Sequence, residues 1–433
     1  MKITVNIARV IVGLLFIFSG LVKANDPLGL SYKMQEFFDL WGMTRFNSWT
    51  LLMSVLMNAF EIIAGFALLL GWRIKLFSWL LLLLIIFFTF LTGYAYLSGK
   101  FRSCGCFGDC LPITPKTSFT KDLILLVLIG FLFWKQKLIK PFMPEKATTL
   151  SMLGITVLGF GMQWYALNYL PFVDCLPYKK GNNITEKMKM PADAIPDVMV
   201  ISYVYIKGGE VSRFKKDSVP AGFNKKDYVF AEDSDSTVVY VKGGQKVEFT
   251  IDKFPDDFNT NAKAYTRIKR YEKIIRPGKN NQPPIAGFHL SGFSDIDSTD
   301  LILQEPYAVV LFCEDLSVPV SKWQKSFASV YAEAKAKNIP VYMVTTQPTE
   351  AVKQLATTSF NDIQVLKCDN TAIRTAARVN PCLFILNKGT IIGKWSRHDF
   401  SSGTKLLKNI AVQLIPDPVT NPDNIPKPDS INH

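Results

Sequence analysis

Four cysteines have the spacing and the neighbours expected of thiol chemistry at a membrane surface. Cys104, Cys106 and Cys110 lie in the segment Ser103–Leu111 between two long apolar runs, and Cys175 follows the last such run. If each run crosses a membrane, all four cysteines emerge on the same face. Three of the seven cysteines thus fall within seven positions, which favours thiol–disulfide chemistry over ordinary core packing.

The apolar runs that position these cysteines are predicted to be membrane helices. The chain is 48% hydrophobic with a mean hydropathy of +0.16, too apolar for a plain soluble protein. A helix needs roughly 20 apolar residues to cross the hydrocarbon core, and the fourth run must borrow flanking residues. The first run resembles a signal peptide, but the spans that follow favour an uncleaved helix. The five predicted spans are Ile3–Val22, Trp49–Leu70, Ile74–Leu97, Phe119–Trp134 and Thr149–Leu170.

Charge distribution predicts the orientation of these spans. The formal net charge is +13, but it is spread out, which favours a basic surface near anionic lipid and not nucleic-acid binding. The loop Trp72–Lys75 and the segment Lys135–Lys146 are basic, which favours the cytoplasmic side. The N-terminus is therefore predicted to lie on the cytoplasmic side of the inner membrane, and the C-terminal half in the periplasm. Cysteine usage agrees, since paired thiols persist in oxidising compartments.

The bundle is predicted to occupy residues 1–173, and residues 174–284 to form a small β-rich extracytoplasmic module. Val198–Phe214 alternates apolar and polar residues and breaks at Gly208-Gly209. Thr237–Ile251 does the same and breaks at Gly243-Gly244. Each pattern predicts a β-hairpin.

Residues 285–415 are predicted to form an α/β domain, because short apolar runs alternate with helical patterns. The tail 416–433, rich in Pro, Asp and Asn, is predicted to be disordered. The predicted strands are Tyr307–Phe312, Pro340–Thr345, Gln364–Lys367, Pro381–Leu386 and Thr390–Trp395. The predicted helices are Ser321–Lys337, Glu350–Thr357, Asn370–Arg378 and Leu406–Leu414.

This order of elements resembles the thioredoxin fold of membrane-tethered periplasmic domains over about Ile285–Leu414. Val379-Asn380-Pro381 stands where that family has its cis-proline, so the resemblance makes Pro381 the cis-proline candidate. The family's Cys-x-x-Cys is expected just after the first strand, where this chain has Ser317-Val318-Pro319-Val320. Without a low-pKa thiolate there, the domain is expected to keep the fold and lack the standard reaction.

Three cysteines remain in this domain: Cys313, Cys368 and Cys382. Free cysteines are most often small buried hydrophobes, and that interpretation is favoured. The alternative is that Cys313 and Cys382 lie on neighbouring antiparallel strands and approach each other.

The membrane half also resembles a known family. Five residues of the first span recur at spacings of four and three and share one helical stripe: Arg9, Gly13, Phe16, Gly20 and Lys23. Together with Glu61 and the run Cys-Gly-Cys-Phe-Gly at 104–108, this stripe resembles the DoxX-like superfamily, specifically its methylamine-utilisation MauE branch, over about Met1–Trp134. A DoxX-like bundle fused to a thioredoxin-like domain is similar to a Bacteroidetes-type architecture. The resemblance implies maturation of a disulfide-rich periplasmic enzyme subunit, or a link to quinol oxidation.

Arg9 and Glu61 are charged residues inside predicted spans, where such residues usually face the bundle interior. Counted from the cytoplasmic ends of their helices, their offset is roughly 5 Å, within side-chain reach. The pattern predicts an ion pair that locks the first two spans together. The alternative is a proton or quinone site, which makes quinone the candidate cofactor.

The cysteine segment admits structural and redox interpretations, and both stand. The spacing Cys-x-Cys-x-x-x-Cys is not the paired spacing typical of zinc sites, so no metal is expected. Four cysteines allow three connectivities. A Cys104–Cys106 bridge closes a small strained ring, and such disulfides are labile, so this pair is the catalytic candidate. Cys110 and Cys175 are the candidate structural disulfide, because their bridge would close a long loop through the bundle.

Two functions therefore compete. In the first, the chain is a membrane thiol–disulfide redox or maturation factor for exported proteins. In the second, it is a non-enzymatic assembly or binding protein whose cysteines only brace a loop and whose thioredoxin-like domain holds a partner. The expected partners are the lipid bilayer and an exported protein or periplasmic redox partner, and nucleic acid is not among them.

Overall fold

The structure is a computed structural model. It describes residues 1–99, 101, 108, 110–111, 113–196, 198–215, 220–224, 226–233, 237–250, 253–276, 278, 280–293 and 296–410. The chain forms two compact units. One comprises Met1–Met188 with the chain from Ile285 onward, and the other is Lys189–Pro284. The predicted tail 416–433 lies outside the described residues.

The N-terminal part consists of long apolar helices. Within the described part of the chain, five of them are long and apolar enough to cross a membrane, by length and composition, which confirms the predicted spans. α1 packs against α3, α4 against α5, and α6 against α3. The bounds are α1 Lys2–Asn25, α2 Pro27–Leu40, α3 Thr50–Leu70, α4 Ile74–Ser98, α5 Pro115–Trp134 and α6 Glu145–Tyr169.

α2 has no counterpart among the predicted elements. It is too short and too polar to count as a span, yet its start carries clear helix signals. Pro27 occupies the first helical position, and the side chain of Asp26 accepts a hydrogen bond from Gly29 N at 3.1 Å. An aspartate cap followed by proline favours helix initiation at this point.

The predicted stripe on α1 is the surface that packs against α3, and all five of its residues are buried. Glycines allow the two backbones to approach closely. A Cβ on Gly65 would lie 2.8 Å from the carbonyl oxygen of Gly13, and one on Gly20 would lie 2.9 Å from Ile62 N. Small residues at helix contacts are a recurrent feature of membrane bundles. The stripe therefore sets the register of α1 against α3.

That register separates Arg9 from Glu61, so the predicted Arg9–Glu61 ion pair is not formed. Gly20 lies opposite Glu61 and Ile62, and Arg9 is eleven residues further along α1, about 16 Å away at 1.5 Å per residue. The prediction assumed that α1 and α3 end at the same level, whereas α1 extends beyond the end of α3.

Arg9 instead caps the C-terminus of α3. Its guanidinium donates to the carbonyl oxygens of Leu68 (Nε, 2.7 Å) and Leu69 (Nη2, 2.7 Å), and to that of Lys140 (Nη1, 3.1 Å). The last carbonyls of a helix have no partner within it and carry partial negative charge. The buried guanidinium of Arg9 supplies these carbonyl oxygens with hydrogen-bond donors and with a positive charge. Through Lys140 it also ties the α5–α6 connection to α3.

Replacing Arg9 by glutamine should destabilise the bundle. A hydrogen bond to a charged group contributes about 1.5–3 kcal/mol, and three such bonds are lost or weakened. Arg9→Lys should fall between the natural chain and Arg9→Gln, because lysine keeps the charge without the planar fork. Thermal unfolding of the detergent-solubilised protein measures this. Equal unfolding temperatures for Arg9→Gln and the natural chain would contradict the capping role.

The unit Lys189–Pro284 is built from two three-stranded antiparallel sheets. One has the order β5-β1-β6 and the other β2-β4-β3. The strands are β1 Val198–Lys207, β2 Glu210–Lys215, β3 Tyr228–Asp233, β4 Thr237–Lys242, β5 Gln245–Thr250 and β6 Tyr265–Arg276.

The two predicted β-hairpins are wrong. β1 does not pair with β2, and β4 does not pair with β5; instead β1 pairs with β5 and β2 with β4. The β1–β5 and β2–β4 pairings follow one continuous register, with Ser202 opposite Thr250 in the first and Glu210 opposite Lys242 in the second. Gly208-Gly209 therefore stands opposite Gly243-Gly244, and all four glycines have positive φ. The glycine pairs bend one long ribbon at its middle and pass its strands from one sheet to the other.

The C-terminal domain is a mixed five-stranded sheet of order β11-β10-β7-β8-β9. β7, β8 and β9 are parallel, whereas β10 and β11 are antiparallel to their neighbours. Helices α8 and α11 pack on one face, and α9, α10 and α12 on the other. The strands are β7 Ala308–Cys313, β8 Val341–Thr345, β9 Gln364–Lys367, β10 Cys382–Asn387 and β11 Thr390–Ser396. The helices are α7 Ile184–Lys187, α8 Thr299–Gln304, α9 Gln324–Ala336, α10 Pro348–Ala356, α11 Asn370–Ala376 and α12 Phe400–Asn409.

The boundary predicted between residues 173 and 174 is displaced. Residues 174–188, expected to open the β-rich module, pack with the C-terminal sheet. Gly181 N donates to Ile391 O at 2.8 Å, and Ile184 N donates to Gly389 O at 2.9 Å. The chain thus contributes an edge segment to β11 before it enters the β-rich unit at Lys189.

Candidate functional site

The cysteine segment is anchored by a disulfide between Cys110 and Cys175, whose Cα atoms are 4.8 Å apart. Cys110 follows α4 and Cys175 follows α6, so the bridge joins two connections at one end of the bundle. We call this end, marked by Cys110 and Cys175, the cysteine end. Cys104 and Cys106, the candidate exchangeable pair, lie outside the described residues.

The remaining thiols are buried in the C-terminal domain. Cys313, Cys368 and Cys382 are free and buried. Cys382 lies opposite Phe312 on the neighbouring strand, so it is close to Cys313 without being bonded to it. Burial raises the pKa of Cys368 to about 12 and that of Cys382 to about 12, and it raises the pKa of Cys313 as well.

These three thiols should be inert in the folded protein. A thiol reacts as its thiolate, and with pKa values this high almost none is ionised at pH 8. Iodoacetamide at pH 8 should leave Cys313, Cys368 and Cys382 unmodified in the native protein and label all three after unfolding in sodium dodecyl sulfate. Mass spectrometry of the peptides reads the outcome. Rapid labelling of any of them in the native protein would contradict the burial argument.

The loop after β7 occupies the position at which the thioredoxin resemblance expects its dithiol. Asn380 Nδ2 donates to Asp315 Oδ1 at 2.7 Å and to Asp315 O at 3.1 Å. This loop therefore lies beside the Asn380–Pro381 peptide bond, which is cis. Ser317 to Val320 provide no thiol here, so the arrangement offers hydrogen bonds and backbone contacts but no nucleophilic sulfur.

The C-terminal domain is held on the bundle by buried ionic contacts. Arg378 Nε donates to Asp26 Oδ2 at 2.8 Å, while the other oxygen of this carboxylate caps α2. Lys394 Nζ donates to Asp174 Oδ2 at 2.8 Å, and the neighbouring Val173 is tied to α1 because its carbonyl oxygen accepts from Asn25 Nδ2 at 2.8 Å. The paired side chains are largely excluded from solvent, where a hydrogen-bonded partner is required for a charge to be tolerated.

Tyr32 on α2 is the centre of a second contact with this domain. Its ring lies beneath the guanidinium groups of Arg374 and Arg378, at 4.8 and 5.4 Å. Its hydroxyl donates to Glu314 Oε2 at 3.2 Å, and Arg374 Nε donates to Glu314 Oε1 at 2.6 Å. Burial, and next the charge of Glu314, raise the pKa of Tyr32, which keeps the hydroxyl protonated as a donor. The loop after β7 thus docks directly on α2.

A cavity inside the bundle is lined by buried charged residues. Lys23 Nζ donates to Glu61 Oε1, and Ser19 Oγ donates to Glu61 Oε2 at 2.9 Å. Lys23 is 2% exposed and Glu61 1%, and the ammonium lies 5.0 Å from the centre of the Phe88 ring. Glu61 therefore has an ionic partner that the sequence argument missed, although Lys23 belongs to the stripe that it identified.

A second acid–base pair lines the same cavity. Thr92 Oγ1 donates to Asp122 Oδ2 at 3.0 Å, and Lys121 Nζ lies 2.7 Å from Asp122 Oδ1. Lys23 of α1, Glu61 of α3, Thr92 of α4 and Asp122 of α5 all line this cavity, and α2 contributes further lining residues. Such ionisable groups within membrane helices are costly and mark functional sites more often than packing sites.

Part of this bundle is similar to known proteins. Residues 1–135 match the family of methylamine utilisation protein MauE. We call this part of the chain the MauE-type region. It contains α1 to α5, and hence both acid–base pairs and Cys110. The match confirms the MauE part of the resemblance predicted over about Met1–Trp134. No curated protein and no solved structure matches the chain.

The MauE-type region ends before α6, which nevertheless belongs to the same buried polar network. Gln163 of α6 donates through Nε2 to Val55 O at 3.1 Å and accepts from Asn58 Nδ2 at 3.2 Å. Asn58 Nδ2 also lies 3.2 Å from Lys23 O. The added helix is thus joined by hydrogen bonds to the MauE-type region beside Lys23.

Among the described residues, no group of three or more His, Cys, Asp or Glu side chains could hold a metal ion.

Proposed function

We propose that this chain is a multi-pass inner-membrane factor for thiol–disulfide exchange in the maturation of exported proteins, with its C-terminal domain in the periplasm. The match of residues 1–135 to the MauE family and the five apolar helices support a membrane role. The DoxX-like relationship of the bundle rests on the α1 stripe and remains part of the proposal.

The observation that carries this proposal is the disulfide between Cys110 and Cys175. Structural disulfides persist in oxidising compartments, which favours a periplasmic cysteine end. Cys104 and Cys106 precede Cys110, which the bridge fixes, by six and four residues in the sequence. Because Cys110 and Cys175 are bonded to each other, Cys104 and Cys106 are left as the pair proposed for exchange.

The proposed step is a thiol–disulfide exchange. A thiolate of the exported protein attacks a sulfur of the Cys104–Cys106 disulfide, the S–S bond breaks, and a mixed disulfide forms while the other cysteine leaves as a thiolate. A second thiolate of the exported protein then attacks the mixed disulfide. The exported protein gains one disulfide, and Cys104 and Cys106 are left as two thiols.

The C-terminal domain is proposed to be a thioredoxin-like domain that acts without its own thiols. The order β8-β7-β10-β11, with a parallel first pair and an antiparallel second pair, supports that fold. The loop after β7 docks on α2, so this domain is proposed to position a partner above the cysteine end.

The experiment is to trap the mixed disulfide. In Cys106→Ala, the Cys104 thiolate can attack a disulfide of an exported protein, in the reverse direction of the exchange, and no Cys106 thiol is present to release it, so Cys104 should accumulate bonded to exported proteins in cells quenched with acid and alkylated. Non-reducing electrophoresis should show adducts that vanish on reduction and whose partners mass spectrometry identifies. Cys313→Ala is the matched control, because it removes a cysteine that is buried and should leave exchange unchanged.

A second candidate function is a non-enzymatic assembly or binding protein. The raised pKa of Cys313, Cys368 and Cys382 favours it, since the described part of the C-terminal domain carries no activated thiol. In that case Cys106→Ala should give no adducts, and a Cys104→Ala/Cys106→Ala variant should mature its partners normally. Exchange would be favoured by two results together: adducts on Cys104 in the Cys106→Ala variant, and loss of partner maturation in the Cys104→Ala/Cys106→Ala variant.

A further inference from the structure

We propose that the bundle cavity holds one acyl chain of an anionic phospholipid, with the phosphate of this lipid at Lys33 and Lys121. α1 packs on α3 and α4 packs on α5, and the cavity lies between these two helix pairs, with α2 as a further wall. Its surface is mainly apolar, and apolar pockets with a few polar groups are typical ligand sites. The apolar lining includes Leu15, Phe16, Met57, Ile85, Phe88 and Leu125.

The cavity borders the outer surface of α1. Leu15 lines it and is 37% exposed. Ile11 and Phe18, about one turn to either side along α1, are exposed as well. Phe88 and Leu91 of α4 line the cavity from the other helix pair and are only partly buried. In a bundle that crosses a membrane, this outer surface faces the hydrocarbon core. An acyl chain can therefore enter the cavity sideways from the bilayer without crossing a polar surface.

The charge of the lining favours an anionic headgroup. The described lining residues include three lysines and two carboxylates, which sum to a formal charge of +1: Lys23, Lys33, Lys121, Glu61 and Asp122. Glu36 pairs with Lys33 from outside the lining, and half of its side chain is exposed. Such exposed pairs are weak, and an ammonium has three donors. Lys33 can therefore bind a phosphate oxygen together with Glu36.

The depth of each charge orients the ligand. The side chains of Lys33 and Lys121 are 22% and 25% exposed, and lysine stems lie along apolar surface while the ammonium reaches the polar level. Glu61 and Asp122 are buried and accept hydrogen bonds from the cavity wall. A phosphate deep in the cavity would lie beside these buried carboxylates, which costs far more than at the rim. The phosphate therefore belongs at the rim and the acyl chain in the interior.

α2 connects the cavity with the C-terminal domain. Leu30, Met34 and Phe37 of α2 line the cavity. Between them, Tyr32 and Gln35 accept or donate hydrogen bonds to residues of the C-terminal domain. A bound acyl chain thus packs on one side of the helix on whose other side this domain docks. Because a ligand that binds only the folded state stabilises it, phosphatidylglycerol should raise the unfolding temperature of the solubilised full chain.

Photolabelling of the full chain in phosphatidylcholine vesicles tests the binding directly. The probe is phosphatidylglycerol with a diazirine in one acyl chain, and mass spectrometry maps the labelled residues. Labelling should fall on the cavity-lining residues of α1 to α5. An excess of unlabelled phosphatidylglycerol should suppress it, whereas palmitate, phosphatidylethanolamine or further phosphatidylcholine at the same concentration should not.

A charge variant tests the rim. Lys33→Gln should bind phosphatidylglycerol about tenfold more weakly, the loss expected for about one charge-assisted hydrogen bond. It removes one member of a partly exposed pair, so the variant should fold. Lys116→Gln is the matched control, because Lys116 is an exposed lysine of α5 that does not line the cavity. The control should bind phosphatidylglycerol like the natural chain.

A size variant tests the interior. Leu15→Trp places a larger side chain at the lipid-facing side of the cavity and should abolish labelling of its interior. Leu14→Trp is the matched control, since Leu14 is the next residue of α1, is exposed and does not line the cavity. An intact Cys110–Cys175 disulfide and an unchanged elution volume verify that each variant is folded.

The outcomes decide the site independently of the proposed function, because none of these measurements depends on thiol exchange. Cavity labelling that both Lys33→Gln and Leu15→Trp reduce, and that neither control changes, supports the phospholipid site. Labelling spread over the outer faces of the helices, or unchanged binding in either folded variant, would overturn it. Equal suppression by palmitate would assign the cavity to free fatty acids, and equal suppression by phosphatidylethanolamine would remove the requirement for an anionic headgroup; either result contradicts the proposal.

Discussion

Replacing Lys23 by methionine is expected to lower the free energy of unfolding by about 3–5 kcal/mol, because the carboxylate of Glu61 then stays buried without its partner. The pair is almost fully excluded from solvent, and its remaining neighbour, Ser19, supplies one hydrogen bond. The unfolding temperature of the detergent-solubilised protein should fall clearly. Lys23→Met should also accumulate poorly in cells.

Two further variants control this prediction. Lys33→Met removes a lysine from the partly exposed Lys33–Glu36 pair, and surface pairs contribute only about 0–1 kcal/mol. Lys23→Met/Glu61→Leu should recover most of the lost stability, since the unpaired charge is gone. If Lys23→Met is no less stable than Lys33→Met, the buried pair does not have the strength assigned to it.

Removing the Cys110–Cys175 bridge should destabilise the protein by about 4 kcal/mol in the chain-entropy model, given the 65-residue separation of its cysteines. The bridge ties the connection after α4 to the segment after α6, and Asp174 next to Cys175 pairs with Lys394 of the C-terminal sheet. Its loss should therefore also loosen the contact between the bundle and the C-terminal domain.

The measurement compares thermal unfolding of the natural chain and of Cys110→Ser/Cys175→Ser, each with and without dithiothreitol. Reductant should lower the unfolding temperature of the natural chain and leave that of the double variant unchanged. The reduced natural chain and the double variant should then agree. A natural chain whose stability is insensitive to complete reduction of this bridge would refute the structural role.

Periodicity in the sequence was enough to predict the bundle and part of its interior. A run of apolar residues specifies a membrane helix through length alone, and the spacing of Arg9, Gly13, Gly20 and Lys23 specifies which face is buried. It does not specify how far one helix slides along another. The close glycine contacts fix that register, and they place Lys23, not Arg9, beside Glu61.

The β-rich unit shows the opposite limit. Gly208-Gly209 and Gly243-Gly244 carry the sequence signal of tight turns, and the residues do take positive φ. Positive φ is compatible with a hairpin turn and equally with a bend in a continuing strand. The choice depends on which strands lie alongside, which is a long-range property that the local signal does not contain.

Contacts between distant parts of the chain were likewise beyond prediction from the sequence. Asp26 and Arg378 are 352 residues apart, and nothing local to either residue names the other. α2 was not predicted for a related reason. This short helix packs on the bundle with one side and on the C-terminal domain with the other, so its sequence has no clear apolar stripe. In contrast, the β-α-β order of the C-terminal domain follows from local patterns, and the strands lie close to their predicted bounds.

The redox state of each cysteine, measured in cells, tests the central claim most directly. Cells are quenched with acid, free thiols are blocked with one isotopic form of a maleimide, and the remaining cysteines are reduced and blocked with a second form. Peptide mass spectrometry then assigns each residue. We expect Cys110 and Cys175 to be joined to each other, and Cys104 and Cys106 to be present in both oxidised and reduced forms. Cys104 joined to Cys110 or Cys175, or four cysteines that are reduced together without exchange, would contradict the account.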